Sequence, residues 1–208
     1  MKEDLISRIN GQEFSDRWDK FPKRILLDTN IIQITYNFGD YIYDVGNLSD
    51  EIFSSRSGKR VLKSQRLHSE VVCLRELFRG IDRTNIEFAV SRSVHREVEA
   101  KNDSLMLSWF LEWADYFDGF LAQYEKPPWS GKGKEAALQA ANDKTILSNL
   151  SEKDRRIFLD CLELECNAIL TYDKYRNTQD WMYKNYGIMI LYPSDLWRFM
   201  KEFGYLWY

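Results

Sequence analysis

Four carboxylates stand where short apolar runs give out. Asp28 closes Ile25, Leu26 and Leu27 in KRILLDTNII, and Asp173 follows NAILTY. Asp154 opens EKDRRIFLDCLELEC, and Glu97 lies shortly beyond Ser91, the last residue of NIEFAVS. Acids brought together repel one another, and either take up protons or draw in a cation. The chain has only 2 His and 3 Cys, with no CxxC spacing, so nitrogen or sulfur ligation is not supported. Oxygen-only ligation selects a hard ion, Mg²⁺ or Mn²⁺. Such an ion can bridge a phosphate oxygen and lower the pKa of a bound water, the chemistry of phosphodiester hydrolysis.

Each acid also has an ordinary structural reading. Asp28 is a good N-cap for the helix that follows. Asp154 suits a first-turn carboxylate complementing a helix dipole. Glu97 reads equally as a solvated helix residue, as most Glu are. Two acidic strand ends, Asp28 and Asp173, tip the balance, because open α/β sheets place their ligands at the carboxyl ends of strands. Asp160 lies about 120° around the helix from Asp154 and is a flank residue. Glu99 and Glu163 read as surface charges.

The elements that must carry these acids follow from periodicity. Strands are expected at 24–28, 85–91, 167–172 and 187–191, the first a continuous apolar run of the kind buried on both faces. Leu48-Ser49-Asp50-Glu51 reads as a helix start. Helices are further expected over Val61–Phe78, ended by Gly80, over RSVHREVEAK, over 104–124, Glu135–Leu150, 152–166, near 173–184 and from Ser194. The aromatic stripe Leu105, Trp109, Phe110, Trp113, Phe117 and Leu121 reads as a packed core face. KPPWSGKGK, residues 126–134, is the clear loop. Strands alternating with helices predict an α/β protein: a three-layer α/β/α sandwich with a central, mostly parallel sheet and helical insertions. One domain is expected over 1–208, with a helical extension at 1–22 and a helical insertion at 103–150.

Composition narrows the partners. Hydrophobic residues are 44% and charged residues 29%, ordinary for a globular protein, and 15% aromatic allows a large core. A net charge of −3 gives no global basic field, so nucleic acid would need a local patch. MKEDLISRINGQEF has no apolar stretch of the secretory kind, and no apolar run approaches the length of a membrane span. A cytoplasmic protein with reduced thiols is expected.

ILLDTNI, SRSVHRE, DRRIFLDCLELECNAILTYD and ILYPSDLWRFM together resemble the PIN-domain family of metal-dependent nucleases. There an Asp ends the first strand in a D-T-N-type motif, a Glu follows the second strand, a third acid opens a helix, and the last motif reads L-T-x-D. The matching positions are Asp28, Glu97, Asp154 and Asp173, with Thr29, Asn30 and Thr171 as polar supports. The resemblance covers roughly 23–37, 85–101 and 150–202. It implies Mg²⁺- or Mn²⁺-dependent endonuclease action, on RNA in preference to DNA, leaving 5′-phosphate and 3′-hydroxyl ends. Lys174 and Arg176 would contact the substrate backbone, and Lys132 and Lys134 could close over it. An antitoxin-like protein or a second copy is the expected protein partner, with FGYLWY a candidate surface. Lys174 and Tyr175 depart from the small polar or acidic residue and Phe that family members often carry there.

Two other uses of a strand-end Asp fit less well. A haloacid-dehalogenase-type phosphotransferase wants a second Asp where Asn30 stands, and a receiver-like phosphoacceptor wants paired acids ahead of the strand. The remaining rival is a non-catalytic PIN-like scaffold that binds RNA or protein.

Overall fold

The computed structural model describes residues 21–43, 56–80, 86–115, 132–173, 175 and 178–202. Four short strands form one sheet: β1 (Arg24–Leu27), β2 (Glu87–Ala89), β3 (Ala168–Leu170) and β4 (Met189–Leu191). The order is β2-β1-β3-β4 and every pairing is parallel. Ile25 sits beside both Phe88 and Ala168, so β1 is central. Ile25, Leu26 and Leu27 are fully buried, as a strand covered on both faces requires.

The order of strands positions the site. From β1 the chain steps to β2 on one side; it then returns past β1 to β3 and steps outward again to β4. β1 and β3 are therefore neighbours whose onward connections leave in opposite directions. That is a topological switch point, where a crevice opens beyond the carboxyl ends of the strands. Asp28 follows β1 and Thr171 follows β3 directly at that crevice.

The helices are α1 (Thr29–Asn37), α2 (Gly39–Tyr43), α3 (Arg56–Lys63), α4 (Gln65–Gly80), α5 (Arg92–Glu99) and α6 (Ser104–Ala114). After them come α7 (Lys132–Ala141), α8 (Lys144–Asn149), α9 (Glu152–Glu163), α10 (Gln179–Tyr186) and α11 (Pro193–Glu202). Two expected single helices are broken by polar side chains that start a second helix. Ser64 divides 61–78, its Oγ accepting the Leu67 N–H at 3.2 Å. Asp143 divides 135–150, its Oδ1 accepting the Thr145 N–H at 2.7 Å. Helix α9 stops short of 166 because Glu165 takes a left-handed φ of 52°. The polar helix near 173–184 begins only at Gln179, and Gly187 ends it with a φ of 69°.

The last helix is tied down by a buried acid. Glu70 on α4 is 6% exposed and accepts the Ser194 N–H at 2.9 Å and the Ser194 hydroxyl at 2.8 Å. No described helix is long and apolar enough to cross a membrane. The expected helices within 1–20 and at 48–51, the tail 203–208, and most of the Gly/Pro loop lie outside the described residues, as do Lys174 and Arg176.

Candidate active site

Asp28 is both cap and cluster member. Its backbone is extended (φ −75°, ψ 156°), and Oδ1 accepts the Thr29 N–H at 2.7 Å, so the plain capping role is real. Its other oxygen, Oδ2, accepts from Asn30 Nδ2 at 2.9 Å and from the Thr171 hydroxyl at 2.6 Å. The side chain is 3% exposed. Burial, and secondarily the negative charge of Asp173, push its pKa up to about 6, even though the Thr171 hydrogen bond, Lys153 and the Thr29 N–H act the other way. A desolvated carboxylate beside a second one is a site short of positive charge.

Thr29, Asn30 and Thr171 hold the two strand ends in register. Asn30 Nδ2 reaches Thr171 Oγ1 at 3.0 Å, and Asn30 Oδ1 accepts the Tyr172 N–H at 3.0 Å. Thr171 Oγ1 also accepts the Asp173 N–H at 3.0 Å. All three supports expected from the sequence thus touch Asp28 or Asp173, and the exposed Asp173 side chain stands on the far lip of the crevice.

Glu97 arrives from the last turn of α5. Ser91 caps that helix, its Oγ accepting the Val94 N–H at 3.3 Å, and Asp160 accepts the Ser93 N–H at 3.1 Å. Asp160 is therefore a tie between α5 and α9 and not part of the cluster. Glu97 Oε2 accepts the Thr29 hydroxyl at 2.5 Å and pairs with Lys153 Nζ at 2.9 Å. Asp154 sits in the first turn of α9, where Ser151 Oγ accepts its N–H at 3.1 Å and donates to its Oδ2 at 2.7 Å.

Tyr175 marks where the aspartates converge. Its ring is 4% exposed, and its hydroxyl has no hydrogen-bond partner among the described residues. Burial and then the charges of Asp28, Asp154 and Asp173 raise its pKa far above the usual phenol range. A buried, unpartnered hydroxyl carries a desolvation penalty that a bound ion, water or substrate oxygen would relieve.

Sequence reasoning missed two cations. Lys153 directly precedes Asp154 and holds Glu97. Burial alone would lower its pKa, but the Glu97 hydrogen bond and the charges of Glu97, Asp28 and Asp173 outweigh that and raise it. Lys101 donates to Gln33 Oε1, and burial followed by the charge of Lys153 lowers its pKa. The signals were present: a Lys adjacent to one candidate ligand, and another four residues beyond Glu97.

The Gly/Pro-loop lysines go elsewhere. Lys132 and Lys134 open α7, whose Gly133 packs against the end of α9; a Cβ there would fall 2.6 Å from the Glu163 carbonyl oxygen. The Gly133 N–H also bonds Glu165 at 3.2 Å. Arg24, at the start of β1, bonds the Leu164 carbonyl and accepts the Asn167 N–H, so this end lies at the amino-terminal edge of the sheet. Along helix α9, Asp154 lies about 13 Å from that end, so these lysines stand away from the acids.

A hard divalent cation fits the donor chemistry: oxygen ligands only, the charges of Asp28, Asp173 and Glu97 set against the Lys153 ammonium, and an unpartnered hydroxyl near them. Asp28, Asp154 and Asp173 would hold it, with Glu97 reached once Lys153 withdraws. Among the described residues no three acidic, His or Cys side chains close on one point at ligating distance. The oxygens of Asp28, Glu97 and Asp154 are turned instead to the neutral donors of Thr29, Asn30, Thr171 and Ser151 and to the Lys153 ammonium. No protein-family model, curated protein or solved structure matches this chain.

Proposed function

We infer that this chain is a Mg²⁺- or Mn²⁺-dependent endonuclease of the PIN-domain kind, cutting RNA in preference to DNA and leaving 5′-phosphate and 3′-hydroxyl ends. The observation that carries the reading is Asp28: buried, with its pKa raised to about 6 by burial and then by the charge of Asp173. A divalent cation bound there supplies charge neutralisation for the phosphate and a water of lowered pKa. The chain's own residues do the rest. Thr171, Asn30 and the Thr29 N–H fix the Asp28 carboxylate in one orientation. Tyr175 offers a neutral hydroxyl that can hydrogen-bond a water or substrate oxygen. Lys153 can leave Glu97 for a phosphate oxygen.

The finer architecture belongs to the same reading. The steps from β1 to β2 and from β2 to β3 run in opposite directions, so right-handed crossovers put their helices on opposite faces, giving three layers. A cytoplasmic setting, with an antitoxin-like protein or a second copy as partner, accompanies it. The Lys153–Glu97 pair favours a second reading, a PIN-like scaffold that binds RNA without cutting because its cation is a built-in lysine.

The test is cleavage of labelled single-stranded RNA and DNA with Mn²⁺, Mg²⁺ or EDTA, with Asp28→Asn and Asp173→Asn run beside the wild type. Metal-dependent cutting of RNA, lost in both variants, is the expected result. Intact substrates, together with no heat of Mn²⁺ binding by calorimetry, would leave the scaffold reading in possession.

A further inference from the structure

A cleft of about 740 Å³ adjoins the carboxylates, within the range of about 300–1,000 Å³ typical of ligand pockets. It shares Thr29 and Asn30 with the acidic network, so whatever enters it is continuous with Asp28 and Glu97. On one wall, helix α1 places Gln33 and Asn37 a turn apart, and the two amides are hydrogen-bonded to each other at 3.3 Å. Ile34 and Leu67, both partly exposed, give it apolar carbon. Lys101 and Lys153 line the same space.

Those groups suit one kind of ligand. Lys101 and Lys153 both face Glu97 and Asp28, and a phosphate can exchange with those carboxylates for them. Aliphatic carbon beside paired amides suits a flat, polar-edged ring. Unstacked bases of single-stranded RNA are read in this way, by apolar or aromatic contact with the face and hydrogen bonds to the edge. An amide carries both a donor and an acceptor and can match a base edge with two bonds.

We propose that this cleft holds the nucleotide next to the phosphate bound at the carboxylates, with its base edge on Gln33 and Asn37 and its own phosphate between Lys101 and Lys153. The assignment deepens the nuclease reading and rests on it for the identity of the strand. Base preference then comes from α1, and Lys153 moves between Glu97 and the strand.

The experiment is binding in EDTA, where cutting cannot occur, read by fluorescence anisotropy. The probes are short end-labelled homopolymers of uridylate, adenylate and cytidylate. Wild type should favour one of them by about tenfold, the discrimination of one bidentate base contact. Gln33→Ala/Asn37→Ala should flatten that preference while its Mn²⁺ affinity stays at the wild-type value, which shows the fold intact. Lys101→Met should weaken all three probes alike and reduce the log–log salt slope by about 0.7, as for one lost single-strand phosphate contact. A preference that survives the double substitution, or a wild type that binds none of the probes, overturns the proposal. So does a free nucleoside monophosphate that binds as tightly as its homopolymer, because the cleft would then take a soluble nucleotide. If wild type binds with the stated preference yet never cuts RNA with Mn²⁺, the nuclease reading fails and the cleft stands as an RNA-binding site.

Discussion

The Thr171 hydroxyl donates to Asp28 Oδ2 across 2.6 Å, joining the ends of two central strands that lie 143 residues apart in the chain. The same oxygen accepts the Asp173 N–H and meets the Asn30 amide, so one hydroxyl serves three partners. Replacing it with the isosteric Thr171→Val removes all three contacts without opening a cavity. We expect a loss of about 1–3 kcal/mol in urea unfolding, the usual penalty for orphaning buried polar groups. The Asp28 pKa should climb further, since this hydrogen bond is the largest influence holding it down.

Burial of Asp28 predicts a stability that falls as pH rises. Its pKa is 3.8 in an ordinary setting and about 6 in the fold, so the folded chain holds a proton that the unfolded chain has released. That contribution is fully present below 3.8 and lost as pH rises through about 6. Two pKa units correspond to about 3 kcal/mol at most. In EDTA, wild type should therefore lose up to about 3 kcal/mol of stability as pH rises through that window. Asp28→Asn, which carries no titrating group there, should lack that slope in thermal melts. Parallel stability curves for the two proteins would show that the carboxylate is solvated.

Lys153 competes with any cation for Glu97. Its side chain is 53% exposed, which limits the ion pair to the strength of a surface bridge, about 1 kcal/mol or less. Lys153→Met should tighten Mn²⁺ binding by up to about fivefold in calorimetry. Weaker binding in that variant would mean that Lys153 orders the acids and does not block them.

The Tyr175 hydroxyl separates packing from ligation. If it waits for an ion or its waters, Tyr175→Phe should melt slightly higher than wild type in EDTA, because an unpartnered buried group is gone. In the same variant Mn²⁺ should bind about tenfold more weakly, the usual scale for an outer-sphere contact. Unchanged metal affinity would reduce the tyrosine to a core ring.

The strand ends were the legible part of the sequence. ILLD and AILTYD each announce an acid after a buried run, and the fold sets them side by side because β1 pairs with β3. Pairing order itself has no local signature, so the switch point appears only in the fold. Ser64 and Asp143 escaped because a polar residue within a helical period looks like surface until its side chain is seen capping a new helix. Lys132 and Lys134 were misplaced for a related reason: a lysine-rich loop reads as mobile and positive, whereas Gly133 is wedged against two carbonyls of α9. Lys101 and Lys153 have no local signature, because a lysine on a helix flank reads as a solvated charge until the fold sets it beside Glu97.

The pairing of Ile25 with Ala168 has a consequence for how the protein comes into being. Asp28 is made first, and the strand end that completes its surroundings follows 143 residues later. Contacts of such long sequence separation form late and slowly. A nascent or truncated chain that ends before β3 lacks Thr171 and Asp173 altogether. A fold with this topology leaves the carboxylate cluster around Asp28 unassembled until Thr171 and Asp173 have been made.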